Sequence, residues 1–138
     1  MNRADFQQLA QIRLAEAEAL LAAGFPAGAY YLVGYAIEFA IKACIAKAVQ
    51  QYDWPEKDRV IKSYSHDLLN LVKVAGLENE LNIAKNNNKA FDTNWVIVKD
   101  WNEKSRFSAT ATTAAAASLI SAINDPKDGV LQWLILHW

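Results

Sequence analysis

The two histidines, His66 and His137, have the side chains in this sequence that are best suited to acid–base chemistry. Histidine changes its charge between about pH 5 and 8, so it can serve as a general acid or a general base near neutral pH. His66 follows Ser65 and precedes Asp67 at the predicted start of a helix, whereas His137 lies beside Trp138 and is expected at the surface. His66 is therefore the candidate acid–base residue.

A second candidate pair, Glu38 and Lys42, lies in a strongly apolar stretch. Glu precedes Lys by four residues, which is the favoured order for an ion pair along a helix. Charges in apolar surroundings must be paired or must face a groove. The spacing predicts a structural ion pair that holds neighbouring helices in register; the alternative is a polar pocket.

Metal and cofactor chemistry is not expected. His66, His137 and Cys44 fall on separate elements without the spacing of metal ligands, and no glycine-rich phosphate loop is present in the sequence. Cys44 is the single cysteine, so no internal disulfide is predicted.

Composition indicates one folded domain over residues 1–138. Apolar residues make up 53% of the chain, too many for a disordered protein. The net charge of −1 argues against binding nucleic acid or anionic membranes through bulk charge. The N-terminus lacks the pattern of a signal peptide, so a cytoplasmic location is expected.

The elements that position these residues are predicted to be helices. Apolar residues at spacings of three and four predict a first helix between Asn2, its N-cap, and Gly24. A second helix from Pro26 to about Gln50 is apolar on nearly every side, which predicts the central core element. Two charges inside this stretch disfavour a membrane span. Its small residues, Gly34 among them, would let a neighbour approach closely.

The second half of the chain is predicted to contain several further helices. The predicted elements are a short helical stretch Pro55–Lys62, a helix His66–Ala75 capped by Ser65 and ended by Gly76, a short helix Leu77–Lys85, a loop Asn86–Asn88, a long helix bearing Phe91, Trp95, Val98 and Trp101, a break at Ser105–Ser108, an alanine-rich helix Thr110–Ile123, and a last helix opened by Asp125-Pro126. This order predicts an all-α bundle of about four long helices plus short ones.

Four segments in this order resemble the HEPN family of small helical proteins. They are AYYLVGYAIEFAIKACIAKA (29–48), SHDLLNLV (65–72), WVIVKDWNEKSRFS (95–108) and INDPKDGVLQWLILHW (123–138). The resemblance covers essentially the whole chain. It implies an up-and-down helical bundle that forms a homodimer, often encoded beside a minimal nucleotidyltransferase in toxin–antitoxin or defence pairs.

The resemblance also implies where a ribonuclease site would lie. Some members of the family cleave RNA without metal, using an Arg followed after four to six residues by a His. The matching Arg here is Arg106, but positions 111–113 are Ala, Thr and Thr, so the pair is broken. Arg59 and His66 have the same spacing elsewhere in the chain and form an alternative catalytic pair. An Arg and a His at this spacing also occur often by chance, so a structural role for them stays open.

The resemblance further implies a pocket in which Glu38, Lys42, His66, Asp67 and Arg106 lie near each other. Lys42 and Arg106 would then supply the cations for a nucleotide phosphate. The leading interpretation is a dimeric module without ribonuclease activity that binds a nucleotide or a partner protein, such as a minimal nucleotidyltransferase. The alternatives are a ribonuclease using Arg59 and His66, or a composite site formed across the dimer, and a scaffold without a ligand.

Overall fold

The computed structural model describes residues 1–49 and 53–138, which form α-helices and one 3-10 helix and contain no strand. The helices are α1 (Arg3–Ala22), α2 (Pro26–Ala48), α3 (Lys57–Ser63), α4 (Leu68–Val74), α5 (Glu78–Asn87), α6 (Lys89–Lys99), the 3-10 helix (Glu103–Phe107), α7 (Thr113–Asn124) and α8 (Val130–Ile135). The predicted all-α bundle, with α1, α2, α6 and α7 as its longer helices, is confirmed.

The first two helices form a hairpin whose ends follow the sequence signals. Asn2 accepts a hydrogen bond from the backbone N–H of Asp5 and the Asp5 carboxylate accepts one from the N–H of Asn2, so both cap α1. Gly24, with φ of +87°, ends the hairpin's first arm in a conformation that favours glycine. Pro26 then opens α2 in its first turn, where its missing N–H removes no helical hydrogen bond.

Helix α2 is the centre of the molecule, as its apolar sequence predicts. It packs against α1, α4, α7, α8 and the 3-10 helix. Among the described residues it is also the one helix long and apolar enough to cross a membrane, yet 61% of the relevant window is buried inside the protein. The predicted end near Gln50 lies outside the described residues, since α2 is described to Ala48.

Trp101 is packed against the backbone of α2. Helix α6 carries Phe91, Trp95 and Val98 on its buried face, but it ends at Lys99, so the prediction that Trp101 continues this helix is wrong. The indole instead lies over Gly34, where a Cβ atom would come within 1.9 Å of the ring. The Trp101 Nε1 donates to the carbonyl oxygen of Tyr30 at 3.1 Å. Gly34 thus permits the close approach predicted for it.

Asn86–Asn88 is not the loop that three asparagines predict. Asn86 and Asn87 belong to α5, and Asn88 alone separates α5 from α6. The Asn88 side chain accepts from the N–H of Phe91 and donates to Asp128 at 2.7 Å, so one residue caps α6 and binds the chain before α8. In place of the predicted loop, the single residue Asn88 caps α6 and bonds to the distant Asp128.

Two other predicted helix starts are displaced by turns. Asp125 does not cap a helix that begins at Pro126; its carboxylate accepts from the N–H groups of Lys127 and Asp128, and α8 begins at Val130. Ser65 accepts from the N–H of Asp67, and Asp67 is the true cap of α4. Asx and Ser turns of this kind compete with helical capping because they use the same side-chain oxygens.

Two other helix starts shift by two or three residues, and one predicted break is helical. The short stretch predicted from Pro55 begins at Lys57, and the alanine-rich helix begins at Thr113 with Thr112 as its cap rather than at Thr110. The predicted break at Ser105–Ser108 is largely occupied by the 3-10 helix.

Candidate functional site

The site is built around Glu38, the one buried charged residue in the described part of the chain. It lies in the middle of α2 and is 1% exposed. Lys42, one turn later, donates to Glu38 Oε1 at 2.8 Å, so the predicted i, i+4 ion pair is present. A buried carboxylate needs hydrogen-bond donors to offset its lost hydration, and Lys42 supplies the first of them.

His66 supplies the second donor and extends the site to the protein surface. Its Nδ1 lies 3.0 Å from both oxygens of Glu38, and its Nε2 lies 2.9 Å from Glu103 Oε2 in the 3-10 helix. Asp67 caps α4 by accepting from the N–H of Asn70, and this cap fixes the backbone next to His66. His66 therefore bridges a buried and a surface carboxylate; we call Glu38, His66 and Glu103 the histidine bridge.

Aromatic rings frame the histidine bridge on one side. The Tyr35 ring meets His66 edge-on at 6.3 Å between centroids and meets Trp101 at 5.1 Å. Tyr31 donates to the Tyr35 hydroxyl at 3.3 Å. Burial raises the pKa of Tyr35 well above its ordinary value, and the negative charges of Glu38 and Glu103 raise this pKa further. Tyr35 is therefore a neutral group at physiological pH, suited to packing and hydrogen bonding.

A cleft of about 520 Å³ opens beside the histidine bridge. Its charges are mixed, with Lys99 and Lys104 opposed by Asp67, Asp100 and Glu103. The remaining lining residues are Ser65, His66, Trp101 and Asn102. A cleft with this balance of charge does not concentrate a phosphate as a predominantly basic one would.

The structure brings together three of the five residues predicted to share a pocket. Glu38, Lys42 and His66 are in contact, and Asp67 lines the adjoining cleft. Arg106 is not among the residues lining this cleft, and its guanidinium lies over the exposed ring of Phe107, 4.7 Å from the centroid. The predicted pair of phosphate-binding cations is therefore not assembled, and Lys42 is already engaged by Glu38.

Arg59 and His66, the alternative catalytic pair, line different clefts. Arg59 donates a long hydrogen bond of 3.5 Å to the carbonyl oxygen of Val74. It faces a cleft of about 630 Å³ that Ser65 also lines but His66 does not. The other residues around this cleft are Glu56, Asp58, Lys62, Asn70 and Lys73. Within residues 1–49 and 53–138, no hydrogen bond joins Arg59 to His66.

Glu103 is the site residue that sequence reasoning missed. It lies within the tryptophan-rich segment 95–108, but no spacing rule links position 103 to position 66. Its contact with His66 depends on the chain turning into a 3-10 helix after Trp101, and the Asn102 side chain initiates this turn by accepting from the N–H of Lys104. Asn102 before a short charged run predicts a turn at this point, but it does not predict which way the chain leaves the turn or which residue Glu103 then contacts.

Cys44 and His137 are placed away from this site. The Cys44 thiol is buried and donates to the carbonyl oxygen of Leu134 at 3.8 Å, and burial raises its pKa to about 11. His137 packs edge-on against Trp133. Across the described ranges, no three His, Cys, Asp or Glu side chains are grouped so as to hold a metal ion.

Comparison with known proteins gave no relative of this chain: no family model, no curated protein and no solved structure matches it.

Proposed function

We propose that this protein is a HEPN-like, non-catalytic module that acts as a homodimer and binds a partner protein or a nucleotide. The partner we favour is a minimal nucleotidyltransferase in a toxin–antitoxin or defence pair, as the sequence resemblance implies. The observation that carries the non-catalytic part is the position of His66, whose two ring nitrogens are both within 3.0 Å of carboxylate oxygens.

A histidine in this arrangement is poorly suited to RNA cleavage. A general base needs a nitrogen lone pair within reach of the proton it removes. While the histidine bridge is intact, both nitrogens of His66 contact Glu38 or Glu103 and neither faces a substrate. The two carboxylates would also repel the phosphate of an RNA substrate. The role that fits these contacts is to hold the 3-10 helix against α2.

The ribonuclease alternative would need a rearrangement of the same residues. Arg59 would have to leave the carbonyl oxygen of Val74 and share a substrate with His66, which lines a different cleft. Ser65 lines both clefts, so the two regions adjoin. This adjacency is the single observation that favours the alternative.

Exposed apolar side chains support the binding part of the proposal. Trp54 is 95% exposed and Tyr64 is 75% exposed, and they flank α3, in which no residue is buried. Ile61, within α3, is also exposed. Aromatic residues are enriched where proteins bind other protein chains.

Sedimentation equilibrium over a range of protein concentrations tests the dimer, and calorimetric titration with AMP and ATP tests the nucleotide. We expect a mass twice that of the chain and, if the ligand is a nucleotide, binding that is lost in Lys73→Ala, which alters the cleft that Arg59 also lines. A monomer that binds neither nucleotide nor a co-expressed nucleotidyltransferase would contradict the proposal and would leave the scaffold interpretation.

A further inference from the structure

The 3-10 helix has one polar side-chain connection to the rest of the described chain. None of its five residues is buried, and Arg106 lies over the neighbouring Phe107. In the described ranges, the pairing of Glu103 with His66 is the one side-chain hydrogen bond or ion pair that leaves this helix for another part of the fold. Trp101, just before it, is anchored over Gly34. The histidine bridge is thus the polar side-chain link between the 3-10 helix and α2 in the described ranges.

The number of protons on His66 determines how many of these contacts are favourable. A protonated imidazole has two N–H donors, and a neutral one has a single donor. The protonated ring can therefore donate to Glu38 and to Glu103 at the same time. When the ring is neutral, one nitrogen lone pair must face a carboxylate, which is repulsive.

Burial decides which contact the neutral ring keeps. Glu38 is 1% exposed and cannot exchange a lost donor for water, whereas the Glu103 side chain is 32% exposed and can turn outward. An unsatisfied polar group costs more in the interior than at the surface. The proton of a neutral His66 is thus retained on Nδ1, facing Glu38, and the Glu103 contact is the one that is lost.

We propose that His66 is a proton-dependent latch for the 3-10 helix. When protonated it fastens Glu103, and with it the 3-10 helix, to the buried Glu38 of α2. When neutral it remains on Glu38 and releases Glu103, which loosens the 3-10 helix and widens the adjoining cleft. His66 is 40% exposed, so its ring exchanges protons with solvent directly.

The ionisable groups around His66 come from four elements. The groups that face His66 or its cleft are Tyr35, Glu38 and Lys42 from α2, Asp67 from the start of α4, Lys99 and Asp100 from the end of α6, and Glu103 and Lys104 from the 3-10 helix. Carboxylates, lysines and tyrosines ordinarily titrate outside the interval between about pH 5 and 8. Histidine is the group in this set that ordinarily changes charge there.

NMR measurement of amide exchange with water tests the latch. The N–H groups of Ser105 and Ser108 donate within or at the end of the 3-10 helix, so their exchange reports its loosening. After correction for the intrinsic pH dependence of exchange, we expect their rates to rise roughly two- to fivefold between about pH 5.5 and 8, the range set by a partly exposed ion pair. The amide of Trp133 in α8 serves as an internal reference.

Two variants separate the latch from a general effect of pH. Glu103→Gln keeps the surface shape but removes the charge, and it should abolish the pH-dependent rise. His137→Gln removes the other histidine and should leave the rise unchanged. A wild-type rate that does not vary with pH, or a rise that persists in Glu103→Gln, would overturn the proposal.

Discussion

The indole ring of Trp101 occupies the space that a side chain at Gly34 would fill, and the ring nitrogen donates to Tyr30 one turn earlier on α2. This contact fixes the chain just before the 3-10 helix and so determines where Glu103 can reach. It joins the centre of the core to the histidine bridge.

Gly34→Ala should destabilise the protein strongly. Its Cβ would lie 1.9 Å from the indole, and accommodating it requires the buried ring to move. We expect a loss of about 2–3 kcal/mol in the free energy of unfolding, typical of overpacking in a core, measured by urea denaturation. Gly28→Ala on the same helix is the matched control, because its Cβ would meet only the end of the Leu20 side chain at 3.4 Å. Equal losses in the two variants would refute the role given to Gly34.

Lys42→Met should lower stability more than removal of the whole ion pair does. The variant leaves Glu38 buried with His66 as its remaining donor, and leaving a charged group under-satisfied costs about 1–3 kcal/mol. In Glu38→Leu/Lys42→Met no buried charge remains, so part of that loss should be recovered. Thermal denaturation of both variants makes the comparison. A double variant less stable than Lys42→Met would show that the pair contributes more than it costs to bury.

The Cys44 thiol should be unreactive until the protein unfolds. Its pKa of about 11 leaves about one thousandth of it as thiolate at pH 8, and burial blocks reagents as well. Because the folded-state pKa lies above the ordinary value, the group favours folding below about pH 9 and loses that contribution as the pH rises towards 11. Labelling with a disulfide reagent at pH 8, with and without urea, checks this. Rapid labelling of the native protein would contradict the burial.

The helices were predictable where one local rule dominates. The start and end of α1 and the start of α2 depend on Asn2, Gly24 and Pro26, each of which affects only the neighbouring residues. Because α2 is apolar on nearly every side, its sequence predicts burial directly. The predictions at Asn88 and Asp125 were wrong because their side chains have partners that the local pattern does not specify. Asn88 bonds to the distant Asp128, and Asp125 accepts from the nearby N–H of Lys127 in a turn instead of capping a helix.

The candidate site was predictable only in part for the same reason. The spacing of Glu38 and Lys42 on an apolar helix predicts their ion pair, and the acid–base chemistry of histidine marks His66 as a candidate. His66 and Glu103 lie on two different elements, and Trp101, packed over Gly34, positions the chain that leads to Glu103. No local sequence pattern predicts this packing or the contact that results.

Incubation of the purified protein with labelled RNA in the absence of metal tests the central claim most directly, that His66 holds the structure rather than catalyses. Wild type, Arg59→Ala and His66→Ala are compared, with His137→Ala as the matched control. We expect no cleavage by any of them, together with a lower melting temperature for His66→Ala. RNA cleavage by wild type that is absent in both Arg59→Ala and His66→Ala, but kept in His137→Ala, would contradict the account and establish a ribonuclease.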